Sequence, residues 1–363
     1  MTHSGRLRLA LLGTVAIYAF AANNEPNAQP NPYRTIENWF KLPEGRTWGA
    51  VGGVSIDSHD HIWAAERCGA NSCAGSNLDP ILEFDQAGKL LKSFGGGMFI
   101  FPHGLFVDKE DNIWVCDGQG KDGKGQQVIK FSPAGKVLLT FGRKAEASDE
   151  GAHPLEHPRP PLPPIDGQFR QVTDMAWDSK DNTFISDGYI NARVAKYDPD
   201  GNFLMSFGEP GAGPGQLNTP HSIAIDSSDN VYVADRGNGR ISVFDTSGKF
   251  LRIIKIDAPV PEGARPVIGN PIPANATGTF APGSPWALCI TPGPTQYLYA
   301  ADSYPGRIYK LSLDGKLLGM IGKGGKKLGQ FGWIHALACP SENTLFAAEI
   351  LNWRVQKLTL HPN

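Results

Sequence analysis

The sequence predicts an all-β protein, a six-bladed β-propeller whose last blade is closed by an N-terminal strand. Two observations lead to this prediction. The chain of 363 residues is rich in turn formers, with 43 glycines and 29 prolines, and one strand–turn–strand pattern recurs six times along it. Such periodic self-similarity is the sequence signature of repeat architectures, in which neighbouring copies share a core.

Each copy of the repeat begins with an apolar strand that ends near an aspartate, followed by a polar turn, a second apolar strand and an acidic residue. A third and a fourth strand follow, with a glycine-containing turn between them. Four short antiparallel strands rich in β-branched and aromatic residues are typical of a propeller blade. The first two strands of the six copies lie in residues 53–66, 105–117, 175–187, 223–235, 288–302 and 337–349.

The last copy ends after its third strand, residues 354–360, so a strand near the start of the chain must complete that blade. We expect residues 35–41 to do so, because this closure removes an exposed sheet edge. We therefore predict one propeller over residues 34–363. Two proline-rich insertions, 153–167 and 258–285, are predicted loops that either cover a substrate mouth or decorate the rim.

The N-terminus predicts export. Arg6 and Arg8 precede an apolar run, residues 9–22, which includes small residues suited to cleavage. This layout is typical of a secretory signal peptide, here residues 1–22, and a disordered leader over 23–33 follows. We expect a secreted or periplasmic protein that does not contact the membrane after cleavage; an uncleaved membrane anchor is the alternative. A net charge of −2 provides no electrostatic basis for nucleic-acid binding, and we expect a monomer.

The five cysteines leave at least one thiol unpaired. Cys68 and Cys73 are close enough in sequence to bridge one loop. Cys116, Cys289 and Cys339 lie on or beside apolar strand patterns, and we expect them to be small buried core residues rather than ligands.

Three histidines occupy equivalent positions in the repeat. Counting back five residues from the end of each first strand gives His103, His221 and His335 in the second, fourth and sixth copies. The first strand of each blade lines the central channel, so alternate blades place these side chains roughly 120° apart, the arrangement of a three-histidine metal site. Only 9 histidines occur in the chain, which makes a chance coincidence improbable. Zinc is the expected metal, and iron and copper are alternatives.

The residues just after each second strand should surround the mouth of this site. An acidic residue recurs there in every copy, which indicates a structural role in binding turns. Arg67, Tyr189 and Arg236 do not recur in every copy and are therefore the candidate catalytic residues. Arginine suits a planar carboxylate. Rim ion pairs or a packed aromatic ring remain the alternative interpretation.

The segments 186–194, 215–224 and 234–241, which contain Asp-Gly-Tyr, Thr-Pro-His-Ser and Ala-Asp-Arg-Gly, resemble the NHL-repeat propeller of peptidyl-α-hydroxyglycine α-amidating lyase. The resemblance covers nearly the whole mature chain. It implies that the three histidines hold zinc, that Tyr189 acts as a base, and that Arg67 and Arg236 contact the substrate. The implied reaction cleaves the N–C bond of a C-terminal α-hydroxyglycine, giving a peptide amide and glyoxylate.

The resemblance also implies a structural calcium ion. Its ligands would be the main-chain carbonyls of Val54 and Leu105 and an aspartate directly after the third histidine. This sequence has Ala336 at that last position, so calcium is a doubtful expectation.

Three functions therefore follow from the sequence. The first is a zinc lyase acting on a small molecule or peptide that carries a carboxylate and an α-hydroxy-amide. The second is a non-catalytic NHL propeller that binds a peptide or carbohydrate. The third is a metal-dependent hydrolase or lactonase, although sites of that kind are usually rich in carboxylates.

Overall fold

The computed structural model describes residues 33–36, 39–142, 166–260, 262–264 and 278–360. The predicted signal peptide, residues 23–32 of the predicted leader, and most of the two predicted insertions lie outside the described residues. Within the described part of the chain, no helix is long and apolar enough to cross a membrane.

Six four-stranded antiparallel sheets correspond to the six copies of the repeat, as predicted. Five sheets use consecutive strands, because hairpin turns rich in glycine join each strand to the next. These blades contain β2 (Val51–Ile56), β3 (Ile62–Glu66), β4 (Ile81–Phe84) and β5 (Leu90–Phe94); β6 (Pro102–Val107), β7 (Ile113–Lys121), β8 (Lys124–Phe131) and β9 (Val137–Phe141); β10 (Val172–Trp177), β11 (Thr183–Asp187), β12 (Arg193–Tyr197) and β13 (Phe203–Phe207); β14 (Pro220–Ile225), β15 (Val231–Asp235), β16 (Arg240–Phe244) and β17 (Phe250–Ile254); and β18 (Ala287–Ile290), β19 (Leu298–Ala301), β20 (Ile308–Leu311) and β21 (Leu317–Ile321).

The sixth blade joins the two ends of the chain. It contains β22 (Ile334–Ser341), β23 (Thr344–Glu349), β24 (Arg354–Leu360) and β1 (Tyr33–Ile36), and β1 pairs antiparallel with β24. The predicted closure is confirmed, but the strand lies earlier than residues 35–41. Trp39 and Phe40 instead pack between the sixth and first blades, against the rings of Phe346 and Phe84. Burying these two large rings is worth more free energy than the hydrogen bonds that Trp39 and Phe40 would add by extending the strand.

The first strands of the blades, β2, β6, β10, β14, β18 and β22, contact one another in a closed ring. The cores lie between consecutive blades. For example, Phe184 and Phe207 of the third blade pack with Val233 and Phe244 of the fourth. The ring is tight, because a Cβ added to Gly53 would collide with the main chain of Leu105 in the next blade. The first strands of these two blades are therefore in direct main-chain contact beside the channel.

Two disulfide bonds differ in how well the sequence predicted them. Cys68 and Cys73 form the expected loop bridge. Cys289 and Cys339, which were expected to be core residues rather than ligands, pack in the core between the fifth and sixth blades, and they also form a second disulfide between β18 and β22, which the sequence analysis did not predict. Their Cα atoms lie 6.1 Å apart on neighbouring first strands, a separation that a disulfide spans. Cys116 is free and buried, as predicted.

Candidate metal centre

The three predicted histidines meet on the channel axis. His103, His221 and His335 are all buried, and they come from β6, β14 and β22 of alternate blades. The ring centroids of His103 and His335 are 4.3 Å apart, and each lies 4.8 Å from that of His221. One ligand nitrogen from each ring lies within 4.8 Å of the other two. Repeat counting thus correctly predicted which side chains meet.

Each histidine is oriented by a main-chain oxygen of the following blade. The Nδ1 atoms of His103, His221 and His335 lie 2.8, 2.6 and 2.8 Å from the carbonyl oxygens of Thr173, Trp286 and Gly52, respectively. A carbonyl only accepts hydrogen bonds, so each Nδ1 carries the hydrogen. The acceptors occupy the repeat position of the histidines in the odd-numbered blades, so ligands and acceptors alternate around the channel.

This arrangement leaves the Nε2 lone pairs available to a metal ion. The Nε2 atom of His221 is buried without a hydrogen-bond partner among the described residues, which is costly unless a ligand satisfies it. Metal-binding histidines in proteins commonly donate their other ring N–H to a carbonyl in this way. Three such nitrogens form a candidate metal-binding group.

The electrostatics keep all three rings neutral. Burial lowers the pKa of His335 to about 3 and the positive charge of Arg67 adds to this effect. Burial also holds the pKa of His103 and of His221 well below the ordinary value, with further contributions from neighbouring rings and arginines. Neutral imidazole is the form that binds metal.

The recurring acidic residues have the structural role that was predicted. Each is fully buried. Each also accepts a hydrogen bond from a main-chain N–H that lies three residues before the histidine, or before the equivalent residue in blades without one. Asp117, for example, accepts from Ile100, and Asp235 accepts from Asn218. Burial raises the pKa of Asp117 to about 7. These carboxylates fix the start of each first strand and therefore the position of the histidines.

Tyr189 lies directly above the histidines. Its hydroxyl oxygen is 3.3 Å from Nε2 of His103 and 3.5 Å from Nη1 of Arg236. The preceding residue must be glycine, because a Cβ on Gly188 would collide with the carbonyl oxygen of Pro220, next to His221. The Asp-Gly-Tyr turn is thus pressed against the segment that carries His221, and the tyrosine hydroxyl is held beside the histidine cluster.

Arg67 reaches the same mouth from the first blade. Its Nε donates to the carbonyl of Pro102 at 3.1 Å, its Nη1 donates to Oδ1 of Asn71 at 2.7 Å, and its guanidinium lies 3.5 Å from the ring centroid of Phe101. Burial lowers the pKa of Arg67 to about 9, with Tyr189 and Asp117 opposing that shift. The guanidinium is therefore a fixed positive charge at neutral pH.

Arg236 completes the group and lies at the start of a short 3-10 turn, Arg236–Asn238. It is buried, its Nε has no hydrogen-bond partner among the described residues, and its guanidinium carbon lies 3.7 Å from the ring centroid of Trp286. Burial lowers its pKa. All three candidate catalytic residues therefore surround the histidine cluster.

The sequence analysis did not identify two contributors to this site. Asn71 orients Arg67 from inside the Cys68–Cys73 loop, and Trp286 supports Arg236. Trp286 occupies, in the fifth copy, the repeat position that the histidines occupy in the second, fourth and sixth copies, so the repeat could have predicted that it lies beside them. Asn71 lies outside the repeat, so repeat counting had no means of finding it.

The implied calcium site fits poorly. Val54 and Leu105 lie within paired strands, and Ala336 supplies no carboxylate. Asp174, a nearby acid, already accepts the main-chain N–H groups of Met175 and Ile223. We therefore derive no role for calcium.

The chain is similar in sequence to proteins with NHL repeats and to amidating enzymes. Residues 217–244 match the NHL repeat. The chain is 33% identical over 271 residues to a peptidylglycine alpha-amidating monooxygenase of Rattus norvegicus, which covers 66% of this chain and 25% of the relative. It is 28% identical over 214 residues to a probable peptidyl-alpha-hydroxyglycine alpha-amidating lyase of Caenorhabditis elegans, covering 54% and 55% of the two chains. The match to the rat protein thus spans only about a quarter of that relative.

Among solved structures, a streptogramin B lyase has a TM-score of 0.54 at 15% identity, covering 90% of this chain and 98% of that one. This likeness supports the fold alone. Taken with the repeat match and the six blades, the chain is an NHL-repeat six-bladed β-propeller that resembles peptidyl-α-hydroxyglycine α-amidating lyases in sequence.

Proposed function

We propose that this protein is a zinc-dependent carbon–nitrogen lyase that cleaves a C-terminal α-hydroxyglycine, or a similar carboxylated carbinolamine, to an amide and glyoxylate. The observation that carries the proposal is the hydroxyl of Tyr189, held 3.3 Å from Nε2 of His103 in a ring of three buried histidines. The sequence similarity to a probable peptidyl-alpha-hydroxyglycine alpha-amidating lyase supports the same reaction.

The reaction needs one proton to move and no water. The hydroxyl of the substrate loses its proton, its C–O bond becomes the carbonyl of glyoxylate, and the C–N bond breaks with its electron pair on nitrogen. The amide nitrogen then receives a proton. Tyr189 is placed to act as the base that accepts the first proton and as the acid that returns it to nitrogen, which is general acid–base catalysis by a single group.

The two arginines would bind the carboxylate of the substrate. Arg67 and Arg236 are the guanidinium groups at the mouth, and both are buried. A guanidinium in a desolvated site binds a planar carboxylate strongly and with fixed orientation. Each is supported by an aromatic ring, Phe101 or Trp286, so little side-chain entropy remains to be lost on binding.

Zinc would be held by His103, His221 and His335. When bound, it supplies a Lewis acid that stabilises negative charge on a substrate oxygen. The histidines need no rearrangement to hold it, because their N–H groups are already bonded to main-chain carbonyls.

We also propose that the reaction takes place outside the cytoplasm, in the periplasm or after secretion, with the propeller as one monomeric domain. The two disulfides, Cys68–Cys73 and Cys289–Cys339, support an oxidising compartment. The predicted signal peptide supports the same location.

Product analysis tests the proposal. Zinc-loaded protein is incubated with a peptide that ends in α-hydroxyglycine, and glyoxylate and peptide amide are quantified against enzyme-free and chelator-treated samples. The proposal predicts equimolar glyoxylate and amide at a rate well above both controls. A protein that binds the peptide but releases no glyoxylate would support the non-catalytic propeller instead, and hydrolysis of a lactone without glyoxylate release would support the hydrolase.

A further inference from the structure

Three aromatic rings form a continuous surface beside the candidate metal centre. We call the surface made by Trp286, Trp333 and Phe280 the aromatic wall. The ring centroids of Trp286 and Trp333 are 4.4 Å apart, those of Trp333 and Phe280 are 5.7 Å apart, and those of Trp286 and Phe280 are 6.4 Å apart. The wall comes from the fifth and sixth blades and from the end of the insertion between β17 and β18.

The wall runs from the metal centre outward. Its inner end is Trp286, which is buried, with its ring centroid 5.1 Å from that of His221. Trp333 is partly buried. The outer end is Phe280, whose side chain is 37% exposed. The three rings therefore connect the histidine cluster to the solvent-exposed surface.

Polar contacts hold the two ends of the wall in place. The indole N–H of Trp286 donates to the carbonyl of Thr279 at 3.1 Å, which anchors the short turn Gly278–Phe280. The hydroxyl of Ser284 donates to the carbonyl of Arg236 at 2.8 Å. These bonds connect the wall to the arginine that we assign to carboxylate binding, so the two surfaces keep a fixed relative position.

The middle ring has an unused hydrogen-bond donor. The Nε1 atom of Trp333 is buried and has no acceptor among the described residues. Buried indole N–H groups usually have a partner, and one without a partner is costly. An amide carbonyl of a bound ligand is an acceptor of the kind that would satisfy it.

We propose that the aromatic wall is the subsite for the acyl side of the substrate, and that it selects substrates with an aromatic or large apolar group next to the scissile amide. This inference rests on the proposed function. The carboxylate goes to the arginines and the carbinol to the metal centre, so the acyl group must leave along another surface. The wall consists of three uncharged rings and begins at His221 and Arg236, which favours an uncharged aromatic partner.

Kinetics with matched substrates tests the subsite. The specificity constant kcat/KM is measured for α-hydroxyglycine peptides that differ only in the preceding residue, phenylalanine, alanine or aspartate. Stacking and burial of one ring predict a preference for phenylalanine over alanine of about tenfold or more, with aspartate the poorest. Phe280→Ala and Trp333→Leu should each reduce that preference several-fold, whereas Trp353→Ala, an exposed tryptophan of the sixth blade without an aromatic partner among the described residues, should leave it unchanged.

Binding without turnover separates this inference from the proposed function. The unreactive ligands N-benzoylglycine and N-acetylglycine are titrated into the zinc-loaded wild type and the folded Phe280→Ala variant by calorimetry. The wall predicts tighter binding of the benzoyl ligand to the wild type and a smaller difference in the variant. If glyoxylate is released from all three peptides with equal kcat/KM, the proposed acyl subsite is wrong, and the proposed lyase activity is supported. If no peptide reacts, the proposed lyase activity is wrong. Equal affinity for N-benzoylglycine and N-acetylglycine would then also show that the aromatic wall is not a binding subsite.

Discussion

The Nδ1 atom of His221 lies 2.6 Å from the carbonyl oxygen of Trp286, and this contact orients the histidine without any metal. The same relationship joins His103 to Thr173 and His335 to Gly52. Because every acceptor lies within the neighbouring first strand or directly before it, the closed ring of blades sets the direction of all three Nε2 atoms. The arrangement of the three histidines is thus a consequence of the repeat.

We predict that His221→Ala abolishes stable zinc binding. Two imidazoles remain in this variant, which is too few to retain the ion, so zinc should fall from about one per chain to near zero after dialysis. Elemental analysis of the purified proteins measures it. His59→Ala is the matched control, because that side chain is 70% exposed and lies outside the centre. Unchanged zinc in the His221→Ala protein would contradict the assignment.

The depressed histidine pKa values predict that zinc binding displaces few protons. At pH 6, three histidines with ordinary pKa values near 6.5 would together release about two protons on binding. Here burial lowers the pKa of all three, that of His335 to about 3, so fewer than about half a proton should be released. Calorimetry in two buffers of different ionisation enthalpy gives this number. Release of two protons would show that the rings are charged in the folded apo protein.

The same shifts set the direction of acid destabilisation in the metal-free protein. The unfolded chain takes up protons on these histidines below pH 6.5, whereas the folded chain holds them neutral. Their contribution to the free energy of unfolding is therefore fully present above pH 6.5 and is lost as the pH falls toward 3, where His335 itself becomes protonated. Urea unfolding at several pH values measures this loss.

We predict that Gly188→Ala damages catalysis more than an ordinary glycine substitution does. The new Cβ would collide with the carbonyl oxygen of Pro220, so Tyr189 must move away from His103. A displacement of about 1 Å costs on the order of 100-fold in kcat, and the overpacking destabilises the fold by about 1–3 kcal/mol. Gly319→Ala is the control, since among the described residues no heavy atom beyond its two chain neighbours lies within 4 Å of a Cβ there. Equal kcat values in the two variants would refute this account of the turn.

The histidine positions could be predicted because they depend on the phase of the repeat, which the sequence displays directly. The closure of the sixth blade followed from the same count, although Trp39 and Phe40 displaced the strand to Tyr33–Ile36. The disulfide between Cys289 and Cys339 joins two blades. Its geometry depends on the relative register of β18 and β22, about which neither strand carries a local signal.

The contacts that support the site could not be predicted from the sequence for a related reason. Asn71 acts through a turn that the Cys68–Cys73 bond closes, and no repeat position corresponds to it. Trp333 was visible in the sequence beside His335, but its contacts with Trp286 and Phe280 depend on where the insertion between β17 and β18 returns to the mouth. Such a return is a tertiary property of an irregular loop.

We predict that the Cys68–Cys73 loop positions Arg67. Replacing both cysteines by serine frees Asn71, and the KM for a carboxylated substrate should rise about tenfold with a smaller change in kcat, because a charged hydrogen bond is worth roughly that much. Asn71→Ala should reproduce much of the effect. Steady-state kinetics measures the separation of KM from kcat.

The second disulfide provides the control for this prediction. Replacing Cys289 and Cys339 by serine removes a bond at the apolar end of the channel, where Val54, Phe106 and Ile223 also lie. This variant should lose thermal stability while keeping the wild-type KM. An equal rise of KM in both double variants would show that the Cys68–Cys73 loop only stabilises the fold.

The central claim is that Tyr189, beside the three-histidine centre, performs the proton transfer of a lyase. The most direct test is the rate of glyoxylate release from an α-hydroxyglycine peptide by the wild type and by Tyr189→Phe at equal zinc content. We predict that removing one hydroxyl lowers kcat by about 100-fold to 10,000-fold while zinc per chain stays the same. A Tyr189→Phe protein that releases glyoxylate at the wild-type rate would contradict the claim.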